Sequence, residues 1–97
     1  MYYVYVLKSL QHGKIYIGMT SDLRKRVEQH NSGDSTFTKK YKPFKLIYYE
    51  ASESVHDTRA REKYLKSGIG RRYIQNRTKR DGIPLEKVKQ VVLPDRQ

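Results

Sequence analysis

The sequence predicts a mixed α/β fold in one small domain, and three observations carry that prediction. Runs rich in β-branched and aromatic residues stand at 2–7, 14–19 and 44–51, helix-like periodic runs follow them, and 97 residues allow one modest core. A hydrophobic fraction of 36% and a mean hydropathy of −0.91 keep that core small. Nine tyrosines supply much of its bulk while retaining polar tips.

Each element has a local reason. Tyr3-Val4-Tyr5-Val6 and Lys14-Ile15-Tyr16-Ile17-Gly18 read as two strands, and Gly13 punctuates the link between them, so a hairpin is expected. Pairing Leu7 near Lys14 sets Tyr5 near Tyr16 with both rings on one face. Thr20 and Ser21 offer N-caps for a helix that begins near Asp22, runs to about His30 or Asn31 and ends at Gly33. Residues 31–42 read as a polar loop closed by Pro43. Phe44 to Ala51 form a third strand whose bulky run predicts cover on both faces. A second helix is expected over about 55–67, stopping at Gly68, and a third over about 70–79. The domain is expected to end near residue 80, with 81–97 a C-terminal tail whose form the pattern does not decide.

Charge narrows the function. Lys and Arg number 21 against 10 Asp and Glu, a formal net charge of +11, which favours a polyanionic partner, most often nucleic acid. No stretch approaches the roughly 20 apolar residues of a membrane span, and no leader pattern precedes the first strand, so a cytoplasmic protein without a membrane partner is expected. The absence of cysteine removes disulfides and thiolate metal sites. His12, His30 and His56 have no zinc-site spacing, no Gly-rich phosphate loop follows a strand, and no serine sits in an elbow motif.

Polar residues fall where a plain fold would place apolar ones. Leu23, Arg26, Val27 and His30 stand at i, i+3, i+4 and i+7, so one helix face carries two apolar residues, an arginine and a histidine. In the second helix Val55, Thr58, Glu62 and Leu65 form a similar inward stripe. Glu62 is the sole acid between Arg59 and Arg80, a window holding nine basic residues. It is either half of an ion pair with Arg61, Lys66 or Arg26, or a magnesium ligand, since Mg²⁺ is often held by one or two carboxylates plus phosphates and waters. Tyr5 and Tyr16 are either core tyrosines or site hydroxyls. A tyrosine acting as a base needs a cation nearby, and Arg26 could supply it while bracing a phosphate. His30 is either a satisfied half-buried histidine or a group that positions a phosphate or takes a proton.

The order Tyr5, Tyr16-Ile17-Gly18, Asp22-Leu23, Arg26, His30-Asn31 and then Glu62 resembles the GIY-YIG nuclease domain. It is most similar to the small single-domain bacterial members, which open on a Tyr-Val-Tyr strand and carry an Arg-Glu-Lys-x-Leu-Lys stretch. The likeness runs from about Tyr3 to Arg77. Tyr3-Val4 stands where the family name has Gly-Ile, and no second, target-choosing module is evident. The resemblance implies a three-stranded antiparallel sheet flanked by about three helices, and hydrolysis of DNA phosphodiesters with one divalent metal ion, Mg²⁺ or Mn²⁺. It implies that Tyr5 and Tyr16 are paired active-site tyrosines, one helping to activate water. Gly18 would admit a close backbone approach, Arg26 would stabilise the phosphate and His30 would assist it. Glu62 would bind the metal, and Asn76 is the candidate for a further polar residue.

The expected function is therefore a metal-dependent DNA endonuclease, active on branched, flapped or single-stranded structures in repair or recombination. RNA stays open as a partner. Lys39, Lys40 and Lys42, with Arg71, Arg72 and Arg77, are the expected phosphate contacts, either as a nucleic-acid surface or as a solvated charged face. The rival functions are a nucleic-acid-binding module with a vestigial site and a basic accessory protein of a larger complex.

Overall fold

The computed structural model describes residues 1–33 and 36–79. Within them the order is β1 (Tyr2–Ser9), β2 (Ile15–Thr20), α1 (Leu23–Ser32), α2 (Thr36–Tyr41), β3 (Phe44–Ser52), α3 (Val55–Lys66) and α4 (Gly68–Lys79). The strands form one antiparallel sheet in the order β2-β1-β3, with β1 in the centre. The expected tail at 81–97 lies outside the described residues.

β1 is buried on both faces, and its alternation sorts the core into two layers. Tyr3, Tyr5 and Leu7 pack with Leu23 of α1, Phe44 and Leu46 on one face, with Tyr16, Val27, Tyr41 and Tyr49 against them. Val4, Val6 and Ile17 pack with Ile47, Leu65 of α3 and Ile74 of α4 on the other. A bulge in β3 adapts it to both layers. Val6 opposes Tyr48 and Leu7 opposes Leu46, so Ile47 is the extra residue and joins Tyr48 on the α3/α4 face.

The hairpin register differs from the expected one. Leu7 opposes Tyr16 and Tyr5 opposes Gly18. The slip is two residues, so Tyr5 and Tyr16 keep a common face. Gly13 takes φ +69° in the turn, and Ser9 N–H bonds the Lys14 carbonyl at 2.8 Å, which sets the loop length.

Capping explains the helix ends. Asp22, rather than Thr20 or Ser21, caps α1, its carboxylate accepting from Lys25 N–H at 3.1 Å. Gly33, at φ +83°, closes that helix in the left-handed region. Ser54 caps α3 by accepting from Asp57 N–H.

Residues 36–41, expected as loop, form the short helix α2. Its last residue supplies the reason: Tyr41 packs on the first core layer, and its carbonyl accepts from Ser9 Oγ at 2.6 Å. Tertiary anchoring overrides the polar composition here. The sheet is thus flanked by four helices, α1 and α2 on one face and α3 and α4 on the other.

Candidate active site

The inward face of α1 places its two polar residues on β1. His30 is fully buried, and its Nε2 lies 2.9 Å from Tyr5 Oη, a hydrogen bond available in either ring tautomer. Arg26 Nε donates to the same oxygen at 3.3 Å, and its Nη1 donates to Gln29 Oε1 at 3.1 Å. Tyr16 closes the group: its ring lies 4.7 Å from His30 and 6.2 Å from Tyr5, centroid to centroid. One hydroxyl thus sits between a guanidinium and an imidazole.

Gly18 makes that hydroxyl's position attainable. It opposes Tyr5 across the hairpin, and a Cβ there would stand 2.6 Å from Tyr5 Oη and 3.2 Å from Tyr16 Cε1. Any other residue would displace the hydroxyl.

The electrostatics hold both partners of the central bond neutral. Burial pushes the Tyr5 phenol up to about 12, although the Arg26 hydrogen bond pulls the other way. Burial, helped by the Arg26 charge, pushes His30 down to about 4. Arg26 is held above its usual value, first by its hydrogen bond to Tyr5 and with Tyr16 contributing to the same effect. His30 Nδ1 is buried without a hydrogen-bond partner. An unpaired buried polar atom costs about 1–3 kcal/mol, so this histidine is a poor choice for stability alone. Its burial leaves the Tyr5 hydroxyl as the one side-chain hydrogen-bond partner of the ring among the described residues.

Glu62 approaches from the other side of the sheet. Its carboxylate pairs with Lys66 Nζ at 3.3 Å, one turn on, with side-chain exposures of 16% and 51%. Its negative charge is one of the influences that keep Tyr5 protonated, which sets it within electrostatic reach of that hydroxyl. Of the partners expected, Lys66 is the one found. Thr58 and Leu65 of the expected stripe are buried, but Val55, the first residue of α3, is 39% exposed. Asn76 lies exposed on α4 and joins none of these hydrogen bonds.

Among the expected phosphate contacts, Lys39, Lys40, Lys42, Arg71, Arg72 and Arg77 are all exposed. Lys40 and Lys14 lie over the Tyr41 ring at 5.5 and 5.4 Å, and Arg77 lies over Tyr73 at 5.5 Å.

One cluster has no counterpart in the sequence pattern. Arg61 grips Glu50 with two hydrogen bonds, Nε to Oε1 at 2.9 Å and Nη2 to Oε2 at 2.6 Å. Tyr48 donates its hydroxyl to Glu50 Oε2 and lies 3.4 Å from the Tyr73 hydroxyl. Burial alone would raise the Glu50 carboxyl, but the bonds from Arg61 and Tyr48 hold it below its usual range. The available signal was a lone acid on β3 two residues from a tyrosine; its partner eleven residues on is set by tertiary packing.

Comparison with known proteins agrees with this fold. Residues 1–79 match the GIY-YIG catalytic domain. The chain is 39% identical over 67 residues to a UPF0213 protein of Clostridium perfringens, covering 68% of this chain and 71% of that one. It is 35% identical over 89 residues to a UPF0213 protein of Pediococcus pentosaceus, covering 91% and 92%. The solution NMR structure of a UPF0213 protein from Bacillus halodurans superposes with a TM-score of 0.53 at 26% identity, over 97% of this chain and 100% of that chain. The family model covers the whole three-stranded sheet and its helices, so this chain is a member of the GIY-YIG family, a nuclease superfamily, and is similar to its small bacterial UPF0213 proteins.

Proposed function

We propose that this protein is a divalent-metal-dependent endonuclease that hydrolyses DNA phosphodiester bonds. The observation that supports the reading best is the Tyr5 hydroxyl, pinned by Arg26 and His30 and within electrostatic reach of Glu62. A structural core has no need of that arrangement.

The donor set fits one Mg²⁺ or Mn²⁺ ion. Glu62 offers a hard oxygen ligand whose ion-pair partner is an exposed lysine free to swing away, and waters and phosphate oxygens complete such a shell. Bound there, the ion supplies positive charge to the phosphate and acidifies water. The protein's own residues do the rest. Arg26 braces the charge that develops on the phosphate oxygens. Tyr5, buried and neutral, is a fixed hydroxyl that orients Arg26 and is itself oriented by His30. Tyr16, only half-buried, orients the attacking water through its hydroxyl; the proton of that water passes to bulk solvent, which also protonates the leaving oxygen. The water oxygen forms the new bond to phosphorus as the bond to the leaving oxygen breaks. The lysines of α2 and the arginines of α4 grip backbone phosphates without reading sequence, which suits a substrate chosen by shape, such as branched, flapped or single-stranded DNA in repair or recombination.

The test uses supercoiled plasmid and a panel of branched oligonucleotides, with Mg²⁺ or Mn²⁺ and with EDTA. Cutting should vanish with EDTA and fall at least ~100-fold in Glu62→Ala and Arg26→Ala, the scale of losing one charge-stabilising group. Salt-sensitive binding without cleavage under every condition would replace the enzyme with a nucleic-acid-binding module.

A further inference from the structure

α3 rests on the sheet along a line through Thr58 and Leu65, its two fully buried side chains. At about 100° per residue, Arg61 and Glu62 project about 50° to either side of that line. Arg61 reaches β3 and grips Glu50, and Glu62 takes the opposite flank, from which its charge reaches Tyr5. On the sheet, contacts along a single line resist lifting of a helix better than rolling, so its roll is set by what holds the flanks, α4 and the Arg61 bond. A roll of about 20° would move a carboxylate about 6 Å from the helix axis by about 2 Å, several times the ~0.5 Å tolerance of a working site.

We propose that the Glu50–Arg61 pair is the rotational lock of α3, and that its task is to hold Glu62 at the metal position. Glu50 and Arg61 are thus positioning residues. The proposal rests on the reading of Glu62 as a metal ligand. Two features support it. The bond is two-pronged, and a planar fork fixes orientation as a single contact does not. The Tyr48 hydroxyl occupies the second Glu50 oxygen and lies against Tyr73 of α4, so the lock is itself braced by β3 and α4.

The experiment is a double-mutant cycle of Glu50→Gln, Arg61→Lys and the pair, with Glu62→Ala as reference. Mn²⁺ affinity is measured directly by electron paramagnetic resonance without DNA, and thermal unfolding is followed alongside. Each single variant should weaken Mn²⁺ binding about 10–100-fold, the usual effect of removing a support behind a metal ligand. The double variant should be no worse than either single one, and thermal unfolding should show every variant folded at the assay temperature. Unchanged Mn²⁺ affinity in both singles, with Glu62→Ala abolishing binding, would overturn the lock while leaving the metal ligand in place. Binding that survives Glu62→Ala would instead overturn the reading beneath it.

Discussion

His30 shows what one buried ring does to stability. Its imidazole is held down to about 4, against an ordinary value of 6.5, by burial and by Arg26. Between those values the unfolded chain binds a proton that the folded chain refuses, so stability rises with pH through this window. The contribution is complete above about 6.5 and is lost as pH falls towards 4, at most about 3 kcal/mol. Glu50, held below its usual range, loses its share only nearer the acid end, so the slope between about pH 5 and 6.5 belongs to His30. Urea unfolding at several pH values should show that slope, and His30→Gln should flatten it. The same residue marks what sequence could tell. Spacing at i+3, i+4 and i+7 showed that Arg26 and His30 look inward, because helical periodicity is a local property. It could not show that His30 is sealed, because burial there is completed by Tyr16 and by Phe44 of β3.

At the scale of elements, parity was legible and register was not. The alternation of β1 and β2 fixed which rings share a face, while the pairing depended on a turn whose length Gly13 and Ser9 set together. α2 was hidden because its anchor, Tyr41, lies against residues distant in sequence. The joint between α3 and α4 carries a sharp test. A Cβ on Gly70 would stand 2.0 Å from the Tyr64 carbonyl oxygen and 2.5 Å from Leu65 Cα, both backbone atoms that cannot turn aside. Alanine in a helix normally gains up to about 1 kcal/mol over glycine. Here the overlap wins, and Gly70→Ala should cost about 3 kcal/mol or more, lowering the melting temperature by more than ~10 °C. Gly68→Ala is the control: nothing lies within 4 Å of its Cβ, so its melting point should hold or rise.

Over the whole molecule, a formal net charge of +11 makes ionic strength the governing variable of any encounter with DNA. Binding measured with the Glu62→Ala protein should weaken linearly in log–log coordinates as salt rises. Replacing Lys39, Lys40 and Lys42 with alanine should reduce that slope by about 2–3, at ~0.9 for each phosphate no longer neutralised. An unchanged slope would move the DNA path away from α2. The net charge itself is read from composition alone, since it survives any folding. The position of Glu62 relative to Arg26 was not announced, because they lie on helices packed against opposite faces of the sheet.

That division has a consequence for the chain as it is made. Synthesis delivers Tyr5, Tyr16, Arg26 and His30 first, whereas Glu62 follows only after β3 and half of α3. A nascent chain would therefore hold cations and hydroxyls without the carboxylate. Until α3 docks, Arg26 and the two hydroxyls stand without Glu62, so the group is complete only once the last strand and the third helix are in place.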